Sequence, residues 1–258
     1  DLAMAGAKPL AISVGLIIEE GLSVEDLRKV LESMRDAAQQ AEVKIVTGDT
    51  KVVPRGKADK LFINTSGIGV IEHDLQISGI NAQVGDKILV NGTIGDHGMA
   101  VLASREGLEL ESNITTDSAP LNSMVEELVT ALGDQLHTLR DPTRGGVATT
   151  LKEIARQSQV EITLQETALP VDQSVAGACA ILGLDPLFVA NEGKLLAFVT
   201  PEAADQALRS MQKHKYGKQA AIIGEVTAIA DGKVRLQTSI GGLRAIEMLA
   251  GEQLPRIC

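Results

Sequence analysis

The sequence predicts an α/β (α+β) protein of two domains with mixed β-sheets. Three observations lead there. Short apolar runs of strand length alternate with longer segments whose apolar residues recur at helical spacing. The chain has 258 residues, more than a single domain of about 100–200 residues requires. Hydrophobic residues make up 44% and charged residues 22%, the balance of a globular chain that buries a core. Such an alternation builds sheets whose faces are covered by helices.

Taken in chain order, residues 10–18 (Leu-Ala-Ile-Ser-Val-Gly-Leu-Ile-Ile) read as a buried strand. Ser23 stands as an N-cap, with Glu25 and Asp26 in the first turn of the helix it opens. Val24, Leu27, Leu31, Met34 and Ala38 recur at helical spacing, which sets an amphipathic helix over 24–41. Residues 43–46 form a short strand leading into a polar turn over 47–53. Residues 61–64 and 67–71 are two further strands. Gln83-Val84-Gly85-Asp86 is a turn, and a new strand starts at Lys87. A domain boundary near 83–92 follows, giving a first domain over 1–84 and a second over 85–250. Helices are expected at 97–105, 119–134, 145–158, 172–182 and 201–214. Strands are expected near 160–165, 195–199, 219–229 and 233–238. Pro255 bars a closing helix, so 251–258 reads as an extended, mobile tail.

Charge and composition exclude several classes. The 34 acids against 24 bases give a net charge of −10, which opposes nucleic-acid binding through counterion release. Three Phe, one Tyr and no Trp leave few surfaces for stacking bases. No run approaches ~18 uninterrupted apolar residues, so no membrane-spanning helix is expected. No basic segment followed by an apolar one marks a signal peptide. Two cysteines make no disulfide framework, and a reducing, cytoplasmic setting is the default.

Several segments hold residues suited to chemistry. Cys258 is the last residue, a thiol at the end of the tail; the competing reading is an incidental exposed cysteine. Cys179, among small apolar residues, reads as a packing cysteine. In Thr47-Gly48-Asp49-Thr50-Lys51, Gly48 permits a turn, Asp49 is a carboxylate suited to Mg²⁺, and Lys51 is a cation able to meet a phosphate or move a proton. An ordinary polar turn explains the same residues, and the spacing is not that of a Walker A loop. Arg140-Asp141-Pro142-Thr143-Arg144-Gly145-Gly146 precedes a helix, where backbone N–H groups and the helix dipole favour an anion. A helix start capped by Asp141 or Thr143 is the alternative. Asp96, in the turn 91–98, reads as an N-cap, and His97 alone is weak evidence for a ligand. Glu192, in Asn191-Glu192-Gly193-Lys194 between apolar runs, is a candidate base, with a plain hairpin turn as the alternative. His73, His137 and His214 have no partners at metal-ligand spacing, so no zinc site is proposed.

Together, Asp1-Leu2-Ala3-Met4-Ala5-Gly6-Ala7-Lys8-Pro9, Thr47-Gly48-Asp49-Thr50-Lys51-Val52-Val53, Arg140-Asp141-Pro142-Thr143-Arg144-Gly145-Gly146 and the Leu254-Pro255-Arg256-Ile257-Cys258 end resemble the HypE family of hydrogenase maturation proteins. That family lies within the superfamily of aminoimidazole ribonucleotide synthetase and selenophosphate synthetase. The resemblance spans the whole chain, and the Asp-Pro-Thr-Arg-Gly-Gly motif and Pro-Arg-Ile-Cys end are its most specific parts. It implies the aminoimidazole ribonucleotide synthetase fold: a first domain for ATP binding and dimerisation, then an α/β domain.

The implied activity is that of an ATP-dependent carbamoyl dehydratase. A carbamoyl group received on the terminal thiol from the carbamoyltransferase HypF is dehydrated to an S-cyano group. The cyanide then passes to iron held by a HypC–HypD complex. The resemblance gives Cys258 the carrier role, makes Lys51 and Glu192 proton-transfer groups, and assigns Asp1 and Asp49 to Mg²⁺ and the phosphates of ATP. It places Thr143 and Arg144 at the nucleotide, and it implies a homodimer. Family members carry a glycine-rich, acidic segment before the Asp-Leu-Ala motif. This predicts that the chain begins inside the family's first domain, lacks a strand of it, and binds ATP weakly or not at all. Two other functions stay open. Selenophosphate synthesis would keep the ATP chemistry but leave a terminal Cys without a use. A non-catalytic scaffold could deliver a thiol-bound group through its tail.

Overall fold

The computed structural model describes residues 1–106 and 114–248. By contacts the chain divides into two compact units: Leu2 with residues 7–73, and Asp1 with residues 3–6 and 74–258. Each is described on its own.

The smaller unit is a three-stranded sheet with one helix: β1 (Lys8–Glu19), α1 (Val24–Gln40), β2 (Lys44–Val53) and β3 (Leu61–Val70). The strand order is β2-β1-β3, with β2 parallel and β3 antiparallel to the centre. Helix α1 starts where the sequence places it, because the Ser23 hydroxyl accepts from the Asp26 N–H at 3.0 Å. Lys29 reaches Glu25 one turn earlier at 3.0 Å.

Three expectations fail here. Residues 10–18 form a strand, but of them only Val14 is buried in this unit, with Leu10 and Ile17 exposed. Residues 47–53 are not a turn: their ladder with β1 runs unbroken from Ser13 opposite Thr47 to Glu19 opposite Val53. Gly48 is needed for a different reason, since a Cβ there would approach the Val14 carbonyl oxygen to 2.7 Å. Residues 61–64 and 67–71 join into the single strand β3, with Gly67 inside its ladder.

The larger unit holds a seven-stranded mixed sheet, in the order β10-β9-β6-β8-β4-β7-β5. In chain order the elements are β4 (Lys87–Val90), α2 (Asp96–Glu106), α3 (Asn122–Leu132), β5 (Leu136–Arg140), α4 (Gly146–Ser158), β6 (Val160–Gln165), α5 (Gln173–Leu182), β7 (Leu196–Val199), α6 (Ala204–Lys213), β8 (Ala221–Ile229), β9 (Lys233–Gln237) and β10 (Leu243–Ala245). Strands β5 and β10 are not foreseen in the sequence, and residues 201–203 are a 3₁₀ turn ahead of α6.

Alternation across the sheet builds two cores. Ile88, Val90, Leu196 and Phe198 pack with Val147, Leu151 and Ile154 of α4 on one face. Leu89, Ala197 and Val199 pack with Leu128 of α3 and Ala207 and Met211 of α6 on the other. Strand β7 is therefore buried on both faces and apolar throughout. Ala3 and Met4, in the 3₁₀ turn Leu2–Ala5, join the second core. Helices α2 and α5 share a third cluster around Met99, Val175 and Cys179. The expected tail, 251–258, lies outside the described residues.

Candidate active site

Strands β4 and β5 both run antiparallel to β7, so their carboxyl ends share one edge of the sheet with the start of β7. Three segments meet at that edge, 91–98 after β4, 140–146 after β5 and 189–195 before β7. Two fully buried asparagines tie them together. Asn191 Oδ1 accepts from the Gly95 N–H at 2.8 Å, and its Nδ2 donates to the carbonyls of Pro142 at 2.8 Å and Val189 at 3.1 Å. Asn91 Oδ1 accepts from the Leu195 N–H at 2.8 Å, and its Nδ2 donates to the carbonyls of Gly193 and Tyr216. A primary amide supplies both donors and an acceptor, so one side chain can satisfy backbone groups from several segments. The expected hairpin at 191–194 is absent. A 3₁₀ turn, Pro186–Phe188, precedes this segment, and the side-chain bonds shape it.

A fourth segment, Thr116-Asp117-Ser118, packs against Glu192. Asp117 Oδ1 accepts from the backbone N–H groups of Glu192 at 3.0 Å and Gly193 at 3.3 Å. Its Oδ2 lies 3.2 Å from Lys194 Nζ, an ion pair without hydrogen-bond geometry. The Asp117 side chain is 4% exposed and that of Lys194 10%, so the pair is shielded from water. Thr116 Oγ1 lies 2.8 Å from His97 Nδ1, and His97 Nε2 is 3.9 Å from Glu192 Oε1. Asp96 accepts from the Thr93 hydroxyl at 2.5 Å. Burial pushes its carboxyl above the usual range, while the Thr93 bond and the Lys194 charge pull it back. Asp96 is the first helical residue of α2 rather than the N-cap.

The glycines after β5 have positional causes. Gly145 has φ 70° and is itself the N-cap of α4, so neither Asp141 nor Thr143 fills that place. Gly146 has φ 62°, and a Cβ there would sit 2.5 Å from the Leu187 carbonyl oxygen. Thr143 is half-buried and Arg144 exposed beside this helix start. The larger unit thus brings Glu192 and the 140–146 motif into one hydrogen-bonded framework, through Asn191. Asp1 is exposed and makes no capping bond with its side chain.

Asp49 and Lys51 lie in the smaller unit, both exposed and two residues apart on β2. They project from the same face, roughly 6.6 Å apart along the strand. Asp49 Oδ1 accepts from the Thr50 N–H at 2.8 Å. A cleft of about 720 Å³ between α1 and the sheet is lined in part by Gly48, Asp49 and Thr50. Cys258 lies outside the described residues.

Among the described residues, no group of three or more His, Cys, Asp or Glu is placed to hold a metal ion. Asp1 in the larger unit and Asp49 in the smaller are each a single exposed carboxylate, and a lone carboxylate suits Mg²⁺ only where nucleotide phosphates and waters supply most of its ligands. Other titratable groups have structural partners: His137 Nδ1 meets Asp86 at 2.9 Å, and His214 Nε2 meets Ser123 at 3.0 Å. Cys179 is buried as expected, and burial pushes its thiol up to about 11. No described helix is long and apolar enough to cross a membrane. In the sequence Asn91, Asn191 and Lys194 stand only as members of turn motifs, and Asp117 in none of the motifs singled out. The one local signal is that Asn191 adjoins Glu192.

Comparison with known proteins matches two family models. Residues 1–71 match the N-terminal domain of AIR synthase related proteins, and residues 83–237 match the C-terminal domain. Carbamoyl dehydratase HypE of Bradyrhizobium diazoefficiens is 54% identical over 258 residues, covering all of this chain and 75% of the relative. A crystal structure of hydrogenase maturation protein HypE in complex with ATP superposes with a TM-score of 0.96 at 50% identity, over 100% of this chain and 78% of that one. A HypE–HypF complex matches with a TM-score of 0.93 at 49% identity, over 96% of this chain and 80% of that one.

Proposed function

Because the chain belongs to the HypE family of carbamoyl dehydratases, within the superfamily of AIR synthase related proteins, we propose that it dehydrates an S-carboxamide on Cys258 to an S-cyano group at the expense of ATP. The cyanide is destined for the iron of a NiFe-hydrogenase. The observation that carries this reading is the likeness, over its whole length, to an ATP-bound HypE and to relatives named carbamoyl dehydratase.

The reaction balances without a redox partner. The amide oxygen of Cys258–S–C(=O)NH₂ attacks the γ-phosphorus of ATP and ADP leaves. Two N–H protons are then lost, phosphate departs with the oxygen, and a C≡N bond remains on sulfur. Positioning and charge neutralisation carry most of the catalysis in such a phosphoryl transfer. Glu192 and Lys51 are the proposed groups that take and pass on the amide protons. The backbone of Glu192 is fixed by Asp117, while its side chain keeps partial access to solvent. Asp49, on the same strand face as Lys51, and Asp1 would hold Mg²⁺, which when bound neutralises the phosphates. Thr143 and Arg144 are proposed to contact the nucleotide beside the α4 N-terminus, whose dipole favours an anion.

The partners proposed are a HypF-type carbamoyltransferase as donor and a HypC–HypD-type complex as acceptor, in the cytoplasm. A HypE–HypF complex among the matches supports the first. A homodimer through the smaller sheet is proposed from the family resemblance, and Ile17 and Phe62, paired on one face of that sheet, are both exposed there.

The test, made on the protein with the glycine-rich, acidic segment that family members carry before the Asp-Leu-Ala motif restored, is mass spectrometry of the C-terminal peptide after carbamoylation by the HypF-type partner and then addition of Mg·ATP. A carbamoyl adduct on Cys258 that loses one water only with ATP is the expected result. An adduct that persists with ATP, or no adduct with a working transferase, refutes the proposal.

A further inference from the structure

We infer that Asp117 is the positioning residue of Glu192, fixing the backbone from which the proposed proton-transfer carboxylate projects; the inference rests on the role given to Glu192 above. Its basis is that one carboxylate oxygen, Asp117 Oδ1, receives the N–H groups of both Glu192 and Gly193, at 3.0 and 3.3 Å. Two adjacent peptide groups held by one atom leave the Glu192 Cα little freedom to rotate. The carboxylate is in turn immobilised by burial and by Lys194 at 3.2 Å.

The approach is possible only because residue 193 is glycine. A Cβ there would stand 1.8 Å from the Asp117 carbonyl oxygen and 2.8 Å from the Ala119 nitrogen, both backbone atoms that cannot swing aside. The glycine's other peptide group is held as well, since its carbonyl accepts from Asn91 Nδ2 at 3.1 Å. The residue before Asp117 adds a contact from the side-chain direction. Thr116 Oγ1 meets His97 Nδ1 at 2.8 Å, and the opposite ring nitrogen faces Glu192 Oε1 at 3.9 Å. A proton-transfer group must be held close to its productive geometry, and a support of this kind supplies it. Asp117 is buried and bonds the backbone of Glu192 and Gly193, not the Glu192 carboxylate. It acts through Glu192.

Replacing Asp117 alone would strand the buried Lys194 charge, so the test changes both members of the pair. In Asp117→Asn with Lys194→Gln, the amide keeps an oxygen for the two N–H groups and a donor for the glutamine. In Asp117→Ala with Lys194→Gln, the oxygen is lost. Each variant is made in the protein with the segment before the Asp-Leu-Ala motif restored and is carbamoylated by its transferase. The single-turnover rate of water loss at saturating ATP is then measured, with the ATP concentration giving half that rate and the far-UV circular dichroism of the fold.

The alanine variant is expected to lose about 100-fold in rate, the cost of displacing a reacting group by about an ångström, with half-saturation unchanged. The asparagine variant is expected to stay near the parent rate. A folded alanine variant with the parent rate overturns the inference. If the alanine variant does not fold, the asparagine variant decides: folded and fast supports the role, folded and slow overturns it. Glu192→Gln is run beside them. A parent-like rate there overturns the role of Glu192 and this inference with it, whereas a slow Glu192→Gln beside a fast alanine variant overturns the inference alone.

Discussion

Asn191 is the residue whose loss should do most damage to the candidate site. The side chain is fully buried and makes three hydrogen bonds to backbone groups of three different segments. Asn191→Leu keeps the branching and the number of side-chain heavy atoms but leaves the Gly95 N–H and the Pro142 carbonyl without this partner, and weakens the bonding of Val189. A buried group stripped of its partner costs about 1–3 kcal/mol. Two such groups give about 4 kcal/mol, a large share of a total stability of about 5–15 kcal/mol. With a urea dependence of about 2 kcal/mol per molar, the unfolding midpoint should fall by about 2 M. The chain has no Trp and one Tyr, Tyr216, which lies in the same unit. Its emission therefore reports this unit alone, and its carbonyl accepts from Asn91 close by. A midpoint shift below about 0.5 M, equivalent to about 1 kcal/mol, would show that the three segments hold together without the amide.

Three further outcomes follow from individual environments. Cys179 is buried with a thiol pushed up to about 11, so iodoacetamide at pH 8 should leave it unlabelled until denaturant is added; rapid native labelling in its tryptic peptide would contradict the burial. Burial holds the His214 imidazole below its ordinary range, so the unfolded chain takes up a proton there before the native one does. Its contribution is present above about pH 6.5 and is lost as pH falls through the lowered native value, so the pH slope of stability should be flatter in His214→Gln; equal slopes would refute this. Ser23→Ala removes the cap of α1 and should cost about 1 kcal/mol, read as faster amide exchange at Asp26 and its first-turn neighbours. Unchanged exchange there would mean that the hydroxyl bond contributes nothing.

Elements with a strong local signal were legible in the sequence. Helix α1 combines a capping serine, acids in the first turn and apolar residues at helical spacing, and each points to the same start. Strand β2 is the counterexample. Thr47-Gly48-Asp49-Thr50 has the composition of a turn, yet the residues pair with β1 along their whole length. Glycine and aspartate usually mark chain reversal, but here the close approach of Val14 demands a residue without a Cβ. Only the partner strand contains that information. Strand β5 was hidden differently: Leu-His-Thr-Leu-Arg is five residues long and carries a buried polar Thr138, which the Ser78 carbonyl satisfies from far along the chain.

The same division between local and distant causes runs through the site. Glu192, Thr143 and Arg144 stand in motifs with their own punctuation, glycines and a proline, so short windows of sequence isolate them. Asp117 stands in no such window. It lies 75 residues from Glu192, in Thr115-Thr116-Asp117-Ser118, whose composition marks a loop and nothing more, and acquires its role only when β7 and the 3₁₀ turn before it are in place. Asn91 and Asn191 resemble ordinary turn residues until their amides are seen to bond backbone across the sheet edge. Residues that would meet a substrate are chosen for their own chemistry and leave a mark in sequence type. Residues that position them are chosen for a geometry that exists only after folding. A search for supporting residues in related chains is therefore better begun from the backbone N–H groups flanking a candidate acid than from a list of charged side chains.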